Sequence, residues 1–333
     1  MLSLVRIFFI TFVSTFFFLP AFAQYKKFVF QQPKMGSPFN IVIYGIDSGK
    51  AAEAAAATFR LIDTLNTIYS DYLPQSELNN LSATFGNWVS VSERLFSILH
   101  KSAIASRKSK GSFDITIGPL TKLWRRSRHE KQLPETDSLA AARALVNYHY
   151  IELDTVHKRV LLKKVNMQLD LGGIAKGETA QHSYDRLKAF GFPYSLVDAG
   201  GDIVAGAVPD SVKSWKIAIN MPESEKLMKK VVNVNNKAVA TSGDLYQYVE
   251  LNGKRYSHII DPVSGYATIT SRNVTVIADS GADADWLATA CSILPIRKAL
   301  KLVKRNAAEV QITILKNNKP YFYRSRGFIS YFK

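Results

Sequence analysis

One stretch constrains this chain more than any other: Met167-Gln168-Leu169-Asp170-Leu171-Gly172-Gly173-Ile174-Ala175-Lys176-Gly177. An apolar run carries a single carboxylate, Asp170. It breaks at two glycines and enters a segment of helical character that opens with Lys176. A strand, a tight glycine turn and a helix N-terminus bring free backbone N–H groups and the positive end of the helix dipole to one point. A lysine there adds a point charge suited to phosphate. Neither familiar phosphate fingerprint fits, since one needs Gly-x-x-x-x-Gly-Lys-Ser/Thr and the other Gly-x-Gly-x-x-Gly. Two readings stay open on this stretch alone, an anion site of another class and an ordinary strand–helix turn.

The rest of the chain bounds the class. With 333 residues and 47% apolar content it is globular, with room for one large domain or two ordinary ones. Arg6, the apolar run over residues 7–19 and Ala21-Phe22-Ala23 have the charge, apolar core and Ala-x-Ala site of a secretory signal peptide cut after Ala23. The run is short for a membrane span and stops at Pro20. No cysteine near the cleavage site offers a lipid anchor. The expectation is a signal peptide over residues 1–23 and a soluble domain over 24–333.

The net charge of +16 could meet nucleic acid, anionic lipid or small anions. Its only clusters, residues 122–128 and 298–305, read as solvated basic faces, and no nucleic-acid motif accompanies them. Cys291 is the only cysteine, so there is no internal disulfide and no cysteine-based metal site. It lies in an apolar helical segment and reads as a small buried residue.

Periodicity gives the order of elements. Two strand-like runs, residues 27–30 and 39–44, are split by Pro33-Lys34-Met35-Gly36-Ser37-Pro38 and predict a hairpin with a wide loop. A helix follows over 50–69, with Phe59, Ile62, Leu65 and Tyr69 on one face. Ser76 and Ser92 are candidate caps for two more helices. A charged linker is expected over 125–134, a helix near 136–146, and strands over 149–154 and 160–164. The helix after Lys176 should reach about Phe190. Strands and turns then alternate, with Asn252-Gly253 as the strongest hairpin turn. A helix over 282–293, another from Pro295 and a C-terminal hairpin turning at Asn317-Asn318 complete the chain. Both element types recur without strict βα alternation, which predicts an α+β fold.

Four turns combine glycine with an acid: Asp114 to Gly118, Asp170 to Lys176, Asp198 to Asp202, and Gly243-Asp244. Such turns bring backbone close to a ligand, or are simply loops. Asp285 and Thr289, four apart on a helix, share one face. Carboxylate, hydroxyl and carbonyl oxygens suit a hard cation such as Mg²⁺, and an Asp favoured by the helix dipole is the alternative. His258 is the best acid/base candidate by residue type, at a strand end before an Asp-Pro turn.

Eight blocks in order resemble the ApbE family of FAD:protein FMN transferases over about residues 30–333. They are Met35-Gly36-Ser37; Ser70-Asp71-Tyr72 with Ser76-Glu77-Leu78; Phe113-Asp114-Ile115-Thr116-Ile117-Gly118-Pro119-Leu120; Leu169 to Gly177; Gly200-Gly201-Asp202; Ala240-Thr241-Ser242-Gly243-Asp244; His258-Ile259-Ile260-Asp261-Pro262-Val263-Ser264-Gly265; and Ala284-Asp285-Trp286-Leu287-Ala288-Thr289. The resemblance implies an ApbE-like fold related to the T-fold, with mixed or antiparallel sheets and packed helices. It implies secretion across an inner membrane to the periplasm. It also implies a Mg²⁺-dependent reaction that splits FAD, joins FMN to a threonine of a target flavoprotein such as a membrane redox subunit, and releases AMP.

By position, the resemblance puts Met35, Tyr72, Ser112, Phe113, Asp114, Asp170, Lys176 and Ile259 on FAD. It puts the side chains of Asp285 and Thr289 and the carbonyls of Gly173 and Ala288 on the metal, and makes His258 the base. Some relatives hydrolyse FAD instead, so an FAD pyrophosphatase and a non-catalytic flavin-binding protein stand as alternatives. Three departures are evident. Arg125 follows Leu123-Trp124 where members often have Gly, Gly177-Glu178-Thr179 replaces an aromatic start, and Trp286 stands where a small residue is commoner.

Overall fold

The computed structural model describes residues 24–223, 226–243, 248–317 and 319–332. The expected signal peptide, Asp244 and Asn318 lie outside them.

The chain begins with a hairpin of β1 (Lys26–Lys34) and β2 (Ser37–Gly45). Its turn is tight, not wide. Met35 and Gly36 have φ of 49° and 70°, the two positive values of a type I′ turn. Pro33 and Pro38 face each other inside the strands. The hairpin tolerates Pro33 because β1 is an edge strand, where a missing N–H costs no ladder bond.

Next come α1 (Ser48–Tyr69), α2 (Glu77–Ser82), β3 (Val89–Ser90) and α3 (Glu93–Ser109). Ser76 and Ser92 cap α2 and α3 as expected, accepting from the Asn79 and Leu95 N–H groups. A short 3₁₀ turn, Ile115–Ile117, leads directly into α4 (Gly118–Glu130). This corrects the charged linker: residues 125–130 are helical. Pro119 suits the first turn, and Leu120, Trp124 and Ser127 form a buried stripe at helical spacing beneath the charges. The Trp124 indole N–H donates to the Gly265 carbonyl at 2.9 Å.

After α5 (Thr136–Arg143), β4 (Ile151–Asp154) and β5 (Arg159–Leu162) pair beside β3 in a small sheet. Residues 167–171 are the second correction. They join no sheet, and their amides are tied singly: Leu169 N–H donates to Ser82 Oγ at 3.1 Å and Asp170 N–H to the Ile115 carbonyl at 2.8 Å. Met167, Leu169 and Leu171 are buried in alternation, so the pattern reports two-sided burial, not strand pairing.

The second half supplies α6 (Ala175–Ala189), β6 (Ser195–Ala199), β7 (Ile203–Ala205), β8 (Trp215–Glu223), β9 (Lys226–Val234) and β10 (Lys237–Gly243). It continues with β11 (Tyr248–Leu251), β12 (Lys254–Ser257), β13 (Arg272–Ala278), α7 (Gly281–Ile293), α8 (Ile296–Arg305), β14 (Glu309–Lys316) and β15 (Lys319–Arg324). The main sheet has eight strands in the order β1-β2-β6-β7-β10-β13-β14-β15, and all its pairings are antiparallel. The fold is therefore α+β with antiparallel sheets. One face of the main sheet builds the large core with α1, α6 and α7, while the β8–β9 hairpin and Phe328 close the other face.

Two features fix α7, one against α6 and one against β13. A Cβ on Gly177 would lie 2.1 Å from the Gly281 carbonyl oxygen, so the two backbones touch. At the far end, Arg272 donates to the carbonyls of Cys291, Ser292 and Leu294 and satisfies the last turn of α7. Glu178, in place of an aromatic residue, is buried and takes Lys101 of α3 at 2.6 Å.

Candidate active site

The close approach of α6 and α7 gathers the first group of side chains. Asp285 is 6% exposed, and its Oδ2 accepts from the Gly177 N–H at 3.0 Å. Thr289 stands one turn further along α7. A Cβ on Gly173 would sit 2.9 Å from Thr289 Oγ1 and 3.3 Å from the Phe113 ring, so only glycine lets the turn approach that hydroxyl. Trp286, the bulky departure, packs on Phe113 with ring centroids 6.2 Å apart.

Lys176 reaches Asp202 Oδ2 at 2.6 Å. Asp202 is delivered by a turn in which Gly200 and Gly201 have φ of 68° and 103° and the Gly201 N–H donates to Asp198. Burial pushes the Asp285 carboxyl well up, Asp202 adds to that, and Lys176 opposes it. Burial works against the Lys176 ammonium, but Asp202 and Asp285 outweigh it and raise its pKa, so the lysine stays charged.

A second group surrounds Asp170. Its Oδ1 accepts from the Gly172 N–H at 2.7 Å, which holds the glycine turn. Its Oδ2 faces Arg125 at 3.4 Å, and the same guanidinium pairs with Asp71 and lies 4.0 Å over the Tyr72 ring. Burial and Asp170 push the Asp71 carboxyl up, while Arg125 pulls it back.

The other expected residues are more dispersed. Asp114 is buried and fully engaged, accepting from Thr116 N–H and Oγ1 and from the Tyr148 N–H. Ser112 and Phe113 are buried beside it. Met35 sits in the β1–β2 turn and packs against the main core. Half-buried His258 follows β12, and Ile259 is buried, its N–H held by Ser257 Oγ at 3.1 Å. The Ala288 carbonyl accepts from Ser292 Oγ at 2.9 Å. Asp114 lines a cleft of about 530 Å³ with Lys110, Arg143 and Tyr148; Tyr72 lines another of about 420 Å³ with Asp71, Lys122 and Gln168.

Three residues of these clusters had no role assigned from sequence: Asp71, Arg125 and Asp202. Asp202 stood in a recognised glycine motif. The stripe Leu120-Trp124-Ser127 was the signal that puts Arg125 on a helix.

The donor set fits a hard cation. Among the described residues no three His, Cys, Asp or Glu side chains converge as a metal cluster. A cation here would take one carboxylate with hydroxyl and carbonyl oxygens, the set Mg²⁺ accepts. Asp285 Oδ1 and Thr289 Oγ1 accept no hydrogen bond among the described residues, and the Gly173 cradle keeps the hydroxyl accessible to the turn.

Known proteins place the chain in a family. The model of the ApbE family matches residues 35–314. A FAD:protein FMN transferase of Haemophilus influenzae is 30% identical over 298 residues, spanning 85% of this chain and 85% of that protein. One of Treponema pallidum is 33% identical over 273 residues, 76% of this chain and 75% of that one. The apo crystal structure of Pseudomonas stutzeri flavinyl transferase ApbE superposes with a TM-score of 0.81 at 30% identity, over 93% of this chain and 98% of that one. Family model, relatives and fold coincide over most of the chain, which therefore belongs to the ApbE family.

Proposed function

We propose that this chain is a FAD:protein FMN transferase that acts outside the cytoplasm, moving FMN from FAD to a threonine hydroxyl of a target flavoprotein and releasing AMP. One observation carries the reading: Lys176, Asp202, Asp285, Thr289 and the Gly173 turn meet where α6 and α7 touch. A diphosphate needs its charge met before a hydroxyl can attack it, and this is where the chain collects the means.

Lys176, kept charged by its two carboxylates, offers a fixed cation to the diphosphate. The N–H groups of Ala175 and Gly177 at the start of α6 are spent on the Leu171 carbonyl and Asp285, so the lysine carries the anion contact. Mg²⁺ held by Asp285, Thr289 and the carbonyls of Gly173 and Ala288 would supply Lewis-acid neutralisation of the phosphate oxygens. His258 takes the proton of the threonine hydroxyl as its oxygen bonds to the FMN phosphorus. The pyrophosphate P–O bond breaks and AMP leaves with the electron pair. Arg6, the apolar run and Ala21-Phe22-Ala23 support export to the periplasm, and the acceptor is a flavoprotein subunit of a membrane redox complex.

The test is incubation with FAD, Mg²⁺ and a threonine-bearing acceptor protein. Covalent flavin on the acceptor with matching AMP supports the proposal. AMP and free FMN without labelled acceptor would identify a pyrophosphatase, and binding without either product a flavin carrier.

A further inference from the structure

Arg125 is unusually well placed for a residue outside every recognised motif. Trp124, fully buried and bonded to Gly265, locks the face of α4 from which Arg125 projects. The guanidinium then meets Asp71, Asp170 and the Tyr72 ring together. A planar, always charged fork can pair and stack at once; a lysine cannot. The segment carrying Tyr72 is otherwise tied through its backbone, by Ser70 Oγ accepting from the Tyr72 and Leu73 N–H groups and by Asn79 Nδ2 donating to Asp71 and Leu73 carbonyls. Those bonds leave the ring unset. Tyr72 is 72% exposed, with the cation over one face and the 420 Å³ cleft beside it.

We propose that Arg125 is a positioning residue for FAD: it sets the Tyr72 ring as a wall against which an aromatic ring of the dinucleotide lies, and it offsets one of the two negative charges of Asp71 and Asp170 so that an anionic substrate can approach. The inference rests on reading this region as the FAD site. The charge argument is direct. Asp71 and Asp170 with Arg125 carry a net single negative charge; without it they carry two, both largely buried, facing a substrate that is itself an anion.

The experiment measures FAD binding by flavin fluorescence, together with KM and kcat for AMP release, in wild type, Arg125→Gln, Arg125→Lys and Arg125→Gln/Asp71→Asn. Arg125→Gln is expected to weaken FAD binding about tenfold and to raise KM by a similar factor, with a smaller fall in kcat. Arg125→Lys, which keeps the charge without the flat face, should lie between, at about threefold. Removing one carboxylate in the double variant should recover most of the lost affinity, a coupling that general destabilisation does not produce. Wild type that binds FAD beside an Arg125→Gln variant that binds equally well overturns the inference and spares the functional reading. A variant whose loss falls on kcat, or is not recovered by Asp71→Asn, also overturns it. Wild type that fails to bind FAD overturns both. If Arg125→Gln does not fold, Arg125→Lys decides: binding equal to wild type overturns the clamp.

Discussion

Lys176→Met isolates the electrostatic centre of the site. Methionine keeps most of the stem and removes the ammonium. Asp202, 4% exposed, loses its 2.6 Å partner, and Asp285, 6% exposed, loses the cation that offsets its burial. Breaking a buried ion pair from one side costs ~3–5 kcal/mol. The Lys176 side chain is 33% exposed, so water already screens part of the pair, and about 2–3 kcal/mol is the expected loss. The loss has a pH signature. Burial already raises the Asp202 carboxyl, and Lys176 is what lowers it. Without the lysine, folded Asp202 binds a proton that the unfolded chain releases above about pH 4. Folding then takes up a proton, so the variant loses stability as pH rises. Urea unfolding with EDTA present, followed by tryptophan fluorescence at pH 5.5 and pH 8, reads both effects. The destabilisation should be larger at pH 8, and adding Asp202→Asn should restore at least half of it. An unchanged midpoint, or an equal loss at both pH values that Asp202→Asn does not relieve, refutes the reasoning.

Other outcomes follow from single contacts. Gly177→Ala forces a Cβ onto the Gly281 carbonyl, where neither backbone can yield cheaply, and should cost about 3 kcal/mol in urea unfolding; a loss below ~1 kcal/mol would contradict the helix contact. Trp124→Phe removes the indole donor to Gly265 and should cost ~1–2 kcal/mol by the same measurement, with no change meaning that the bond does not hold α4. Burial pushes the Cys291 thiol up to about 12, so a maleimide at pH 8 should label it only after unfolding; rapid labelling of the native protein would show an open path to it.

The sequence exposed structure wherever one local pattern decided it. Phe59, Ile62, Leu65 and Tyr69 mark the buried face of α1, Ser76 and Ser92 start their helices, and Asn252-Gly253 turns the β11–β12 hairpin with φ of 51° and 70°. Patterns misled where two demands overlapped. Charges over residues 125–130 hid a helix whose buried side is only Leu120, Trp124 and Ser127. The apolar run at residues 167–171 looked like a strand because most of it is buried, although it joins no sheet. Pro33 and Pro38 suggested a wide loop because sequence does not reveal that β1 is an edge.

The site divides the same way. Asp285 and Thr289 were visible as one helical face, and Asp170 with Gly172 and Gly173 as one turn. The Lys176–Asp202 pair joins residues 26 apart, and the Gly177–Asp285 bond residues 108 apart. Only packing of α6 against β7 and α7 makes them neighbours. Arg125 could not be read as part of the site while its segment was taken for a linker.

The most direct test of the account is the intact mass of a threonine-bearing acceptor protein after incubation with this enzyme, FAD and Mg²⁺, run beside EDTA and beside Asp285→Asn. The account predicts an acceptor heavier by one FMN phosphoester, with AMP formed in equal amount, and loss of both in EDTA and in the variant. An unmodified acceptor in the complete reaction, or undiminished transfer by Asp285→Asn, would contradict it.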